Sequence, residues 1–167
     1  MILKFLRKNF YISFSIVALI YFLDRLTKIY VIQLDKNNLG SDIFNSAYLN
    51  IVLIWNKGIA FGIFSFNESH LYNILSLIIS IIVIILVIMS LKSQGFKRYS
   101  LLMIVGGALG NLHDRIFFNA VPDFIDFHVG NFHWFIFNVA DIFITIGVIF
   151  MILFELIDVN KENHEKI

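Results

Sequence analysis

An all-α membrane protein with four transmembrane helices and a small extracytoplasmic β-hairpin or sheet element is predicted by three observations. Of 167 residues, 59% are hydrophobic and only one is proline. Apolar stretches long enough to span a bilayer recur along the chain, and Lys and Arg cluster in alternate segments between them. Soluble domains are about 45–50% apolar, so a mean hydropathy of +0.82 places this chain in the membrane class. The whole of 1–167 reads as one integral membrane domain.

The elements follow in order. A helix needs about 20 apolar residues to cross a hydrocarbon core of roughly 30 Å. The N-terminus carries Lys4, Arg7 and Lys8 before an apolar run, which resembles a secretory signal. No small-x-small cleavage site precedes Asp24 and Arg25, so the run is read as a retained first span, about 10–26. The second span is about 71–91, the third about 99–118 and the fourth about 134–157. Lys92, Lys97 and Arg98 lie between spans two and three, and Lys161 and Lys166 follow span four. The positive-inside rule then places both termini in the cytoplasm. The segment 119–133 has no Lys or Arg and is read as an outer loop. An insertion at about 43–66 holds "YLNIVLIW", rich in β-branched and aromatic residues, then the turn-like "NKG" and the apolar "IAFGIF". That order predicts a strand and hairpin resting at the outer membrane surface or against the helices.

Composition also excludes functions. A net charge of +1 without a basic block offers no footprint for nucleic acid. Without cysteine there is no disulfide, thiolate metal site or Cys nucleophile, and no anchoring N-terminal cysteine.

Charged residues inside spans carry the functional information, because an Asp or Arg at a helix centre costs roughly 2.5–3.5 kcal/mol on insertion scales. In "GGALGNLHDR" span three ends with Asn111, Asp114 and Arg115, and Asn111 and Arg115 share a helical face. Asp141 falls inside span four, with Asn138 one turn before it. Asp123 and Asp126 lie in the loop between. These groups are expected to converge near the outer edge of the bilayer. Two carboxylates in hydrogen-bonding reach share a proton, leaving one as general base and the other as general acid. Such a pair activates water against a peptide carbonyl without a metal. By pattern alone the same residues also suit a structural ion-pair cluster, or the relay of a small membrane transporter or ion-binding protein.

Five blocks stand in order: "DRLTK" at 24–28, "NKGIAFG" at 56–62, "GGALGNLHDR" at 106–115, "VPDFIDF" at 121–127 and "FNVAD" at 137–141. On these blocks the chain resembles the type II signal peptidases of bacteria, the aspartic lipoprotein signal peptidases. The resemblance implies a multi-pass protein of the cytoplasmic (inner) membrane, with its site near the outer face. Its implied substrates are diacylglyceryl-modified prolipoproteins, cleaved just before the lipidated cysteine. It also implies Asp123 and Asp141 as the catalytic pair. Asn111, Arg115 and Asn138 match positions that line the site, and Asn56 a position that contacts substrate. Asp24 and Lys28, four apart on one helical face, and Asp114 are expected to be structural or secondary. No cofactor and no metal is expected, membrane lipids are the other partners, and the chain is expected to be a monomer.

Other patterns carry less. Gly106, Gly107 and Gly110 include a small-xxx-small pattern suited to close helix packing. His128 and His133 flank the loop with Asp123 and Asp126, but without the spacing of a zinc-protease helix. Ser65 and Ser69 near His70 read as a loop entering a helix cap, not a serine triad. Lys57, Ile59, Pro122 and His113 depart from the family's usual residues.

Overall fold

A computed structural model describes residues 2–38, 43–58 and 69–164, with side chains within 10–38, 43–58 and 72–157. The second apolar run of the expected hairpin, 59–64, lies outside this, as do Ser65, the side chains of Ser69, His70 and Lys161, and Lys166. In chain order the elements are α1 (Ile2–Asn37), β1 (Phe44–Asn45), β2 (Leu49–Asn56), α2 (Ser69–Lys92), α3 (Gly95–Phe118), β3 (Val121–Val129), β4 (Phe132–Phe137) and α4 (Val139–His164). Among the described residues four helices are long and apolar enough to cross a membrane: Phe10–Asn37, Tyr72–Lys92, Gly95–Phe118 and Val139–Ile157.

The third helix is the hub, packing against the other three. Its glycines make that possible. A Cβ on Gly107 would collide with the carbonyl oxygen of Ala140 on α4, and one on Gly110 would sit 2.5 Å from Asp24 Oδ2 on α1. Backbones therefore approach where small residues let them, the usual basis of helix contact in a bilayer.

The strands form one antiparallel sheet in the order β1-β2-β3-β4. Here three sequence expectations change. The segment 119–133 is not a loop: β3 and β4 form a hairpin, with Val129 opposite Phe132 and Gly130 at φ +58 in the two-residue turn. A glycine of that conformation opens the type II′ turn that matches strand twist. The strand β2 pairs with β1 and, across the chain, with β3, placing Asn56 beside Val121 and Ile54 beside Asp123. The fourth helix begins at Val139, not near Trp134, because Trp134–Phe137 complete the sheet.

The first helix also runs past Leu26, to Asn37. Arg25 and Lys28 look like a membrane-edge stop in sequence, but both are buried in ion pairs against α3. Asn119, at φ 54, ends α3 in the left-handed conformation that asparagine tolerates, and β3 starts two residues later. Asp123 is thereby delivered back against the helix it has just left.

Candidate active site

Asp141 stands in the first turn of α4, which explains a carboxylate at the head of an apolar helix. Asn138 precedes the helix, and its Oδ1 accepts the Asp141 backbone N–H at 3.1 Å. In return Asp141 Oδ2 accepts the Asn138 backbone N–H at 3.2 Å. This reciprocal pair is a capping box, satisfying two N–H groups that a helix start otherwise leaves bare. The helix dipole favours negative charge at the same place.

Asp123 comes from β3 and is buried, at 3% exposure. Its Oδ1 accepts Asn138 Nδ2 at 2.6 Å and its Oδ2 accepts Asn56 Nδ2 at 2.9 Å. Asp141 Oδ1 accepts Asn111 Nδ2 at 2.8 Å. Each of the four carboxylate oxygens thus receives one N–H, and Asn138 serves both aspartates.

The amides cannot readily turn over. The Oδ1 of Asn56 is held by the Gly58 N–H at 2.7 Å, that of Asn138 by the Asp141 N–H, and that of Asn111 by Lys28 Nζ at 2.8 Å. Backbone N–H and ammonium groups only donate, so each asparagine must present its NH2 to a carboxylate. Burial pushes the Asp123 carboxyl up to about 6, and the nearby Asp141 charge adds to it, against the lowering effect of Asn56 and Asn138.

Behind Asn111 lies a second buried cluster. Lys28 Nζ donates to Asp24 Oδ2 at 2.8 Å and Asp114 Oδ2 at 2.7 Å, and Arg25 pairs with Asp114 Oδ1 at 2.6 Å. Asp24 Oδ1 accepts the Ala140 N–H at 3.0 Å, so the first helix caps the fourth. Arg115 donates to the carbonyls of Asn111, at 3.2 Å, and Gly58, at 3.0 Å, tying the end of β2 to α3.

Every residue expected from sequence to converge on the site falls in one or other of these clusters, apart from Asp126. Three positions along a strand put it on the opposite face from Asp123, where it bonds His133 at 2.8 Å and Asn50 at 3.3 Å. The rings of His128 and His133 stack at 5.0 Å, and among the described residues no group of three His, Cys, Asp or Glu suits a metal ion. Arg25 and Gly58 escaped the sequence reading. Arg25 adjoins Asp24 in a span, which is a signal; Gly58 acts only through its backbone, which leaves none. His113 hydrogen-bonds Tyr21 at 2.8 Å, and Lys57 is exposed. Pro122 lies opposite Trp55 before β4 joins the sheet, where a missing N–H breaks no β3–β4 bond.

A four-span protein with an amide-held carboxylate pair where helices meet sheet defines a multi-pass membrane protein with a buried acidic centre. Residues 16–157 match the family described as signal peptidase (SPase) II. The lipoprotein signal peptidase of Pelagibacter ubique (strain HTCC1062) is 50% identical over 159 residues, covering 95% of this chain and 96% of that protein. That of Anaplasma phagocytophilum (strain HZ) is 41% identical over 148 residues, covering 87% and 92%. A bacterial membrane enzyme structure solved in meso at 2.3 Å superposes with a TM-score of 0.72 at 31% identity, covering 89% of this chain and 90% of that one. Another, at 1.9 Å, gives 0.70 at 33% identity, covering 86% and 92%. The chain belongs to the signal peptidase II family, and it is a membrane protease.

Proposed function

We propose that this protease removes signal peptides from diacylglyceryl-modified prolipoproteins, hydrolysing the bond before the lipidated cysteine with Asp123 and Asp141 as an aspartic pair. The observation that carries the reading is the set of four N–H donors fixed on the four oxygens of two buried carboxylates. Neither carboxylate forms an ion pair among the described residues. Charge count supports one proton on the pair. Within the two clusters three buried cations, Arg25, Lys28 and Arg115, face four buried carboxylates, Asp24, Asp114, Asp123 and Asp141, and a single proton balances them; the fifth buried carboxylate, Asp126, is held apart by His133.

Asp123 holds that proton and Asp141 the charge. A water between them gives a proton to Asp141 as its oxygen attacks the scissile carbonyl carbon, while Asp123 protonates the carbonyl oxygen. The neutral gem-diol then collapses. Asp123 takes a hydroxyl proton, Asp141 protonates the departing nitrogen, the C–N bond breaks, and the starting protonation returns. Products are the signal peptide acid and a lipoprotein with a free cysteine amine.

Surroundings suit a lipid-borne substrate. An apolar groove of about 350 Å³, lined by Trp134, Phe137, Ile142 and Ile146, reaches Asp141. It would hold acyl chains or the apolar signal sequence while β2 and the β3–β4 hairpin clamp the peptide. With the basic α2–α3 connection in the cytoplasm, both termini are cytoplasmic and the sheet lies at the outer face. The unit acts as a single membrane domain and a monomer. No observation favours transport by the same cluster.

The test is cleavage of a diacylglyceryl prolipoprotein by the purified protein in detergent, with Asp123→Asn and Asp141→Asn alongside and chelator added to wild type. Both variants are expected to lose at least ~10³-fold in rate, an effect typical of removing a reacting group, with chelator harmless. Cleavage at the wild-type rate by either variant would remove that residue from the mechanism.

A further inference from the structure

Lys28 has three donors and is fully buried, and each donor has a distinct acceptor: Asp24, Asp114 and the Oδ1 of Asn111. Two carboxylates would suffice to neutralise an ammonium. The third bond is the informative one, since it decides which end of Asn111 meets the dyad. Were the amide reversed, its NH2 would face the ammonium, donor against donor, and its Oδ1 would face Asp141. That oxygen could accept a hydrogen bond only from a protonated Asp141.

We propose that Lys28 is a positioning residue, acting through the Asn111 amide to keep the charge of the pair on Asp141 and the proton on Asp123. This rests on the reading of Asp123 and Asp141 as the catalytic pair. The other donor to Asp141 is the Asn138 N–H, which the capping box supplies regardless of Lys28. Asn111 is thus the one donor to Asp141 whose orientation a distant residue sets. Among the described residues the charged and titratable groups around Asp141 are Lys28, Asp24 and Arg25 from α1, Tyr72 from α2, Asp114 and Arg115 from α3 and Asp123 from β3. A neutral residue at position 28 would unbalance them, so the decisive variant removes a carboxylate as well.

The experiment measures kcat/KM against pH for the full-length protein on a diacylglyceryl prolipoprotein, with thermal unfolding in detergent as the folding control. The variants are Lys28→Met/Asp114→Asn, which keeps the buried charge balanced, Asn111→Leu, and all three substitutions together. Losing a hydrogen bond to the charged form makes that form harder to keep. The acid limb is therefore expected to move up by about one pH unit in the first two variants, with no further movement when they are combined, since both break one path. A folded Lys28→Met/Asp114→Asn variant with lower activity but an unmoved limb would overturn the proposal, leaving Lys28 as support only. Limb shifts that add in the combined variant would overturn it too, since Lys28 would then act independently of Asn111. If the Lys28→Met/Asp114→Asn variant does not fold, Lys28→Met/Asp24→Asn, which keeps the buried charge balanced too, is read by the same two criteria. Cleavage undiminished in Asp123→Asn would instead defeat the catalytic reading beneath it.

Discussion

Two buried acidic clusters stand side by side in this protein, joined by Asn111, and they are built differently. Asp24 and Asp114 meet Lys28 and Arg25 directly, at 2.6–3.4 Å. Among the described residues Asp123 and Asp141 meet only amides and a backbone N–H. A carboxylate locked to a cation is committed to its charge, whereas one held by neutral donors can still exchange a proton. The two clusters are thus separated by the kind of partner, with burial the same in both.

The largest expected break in that contrast is in stability. Asp114→Asn leaves Lys28 and Arg25 with the single carboxylate of Asp24 between them and should cost about 3–5 kcal/mol, the usual consequence of removing one member of a buried pair. Thermal unfolding in detergent checks it. A wild-type midpoint would mean that the first cluster is not structural. The next effect is opposite in sign and depends on pH. Because Asp123 titrates at about 6 when folded, against 3.8 for the free group, the folded state binds its proton more tightly. The stability this contributes is full below the free value and lost as pH rises through about 6, on the order of 2–3 kcal/mol. Asp123→Asn should flatten that slope, and unfolding midpoints across this range would show whether it does. The smallest effect lies outside both clusters. Lys97 and Glu155 pair at 2.9 Å with half or more of each side chain exposed, so Lys97→Ala should change stability by less than about 0.5 kcal/mol.

Sequence made the helices legible, because spanning length and hydropathy are properties of single segments. It also brought out Asp123 and Asp141, since a carboxylate in or beside a span demands a reason, and the ordered blocks supplied one. What it hid was pairing. The strand β2 reads as half of a local hairpin, yet its long partner β3 comes about 70 residues later. The hairpin at 121–137 was concealed because its strands are apolar on both faces, broken only by Asp123, Asp126 and two histidines, with Gly130 and Asn131 in the turn. Arg25 and Lys28 looked like the end of a span because charge normally marks the membrane edge, and only the α3 acceptors reveal them as interior. The role of Asn138 as a helix cap was legible in principle, from an Asn three residues before an acidic one ahead of an apolar run.

The bond from Ala140 to Asp24 sets an order of events during synthesis. Asp24 is made with the first span, while the backbone donor for its second oxygen arrives only with the last. Until then α1 holds an Asp, an Arg and a Lys in a segment where each is expensive to insert, relieved in part by the Asp24–Lys28 pair within its own helix. The α3 partners come next, and α4 finally delivers the Ala140 N–H together with Asp141. A nascent chain that has not yet translated its fourth helix therefore lacks half of the acidic pair, so that pair is completed by the same step that finishes the fold.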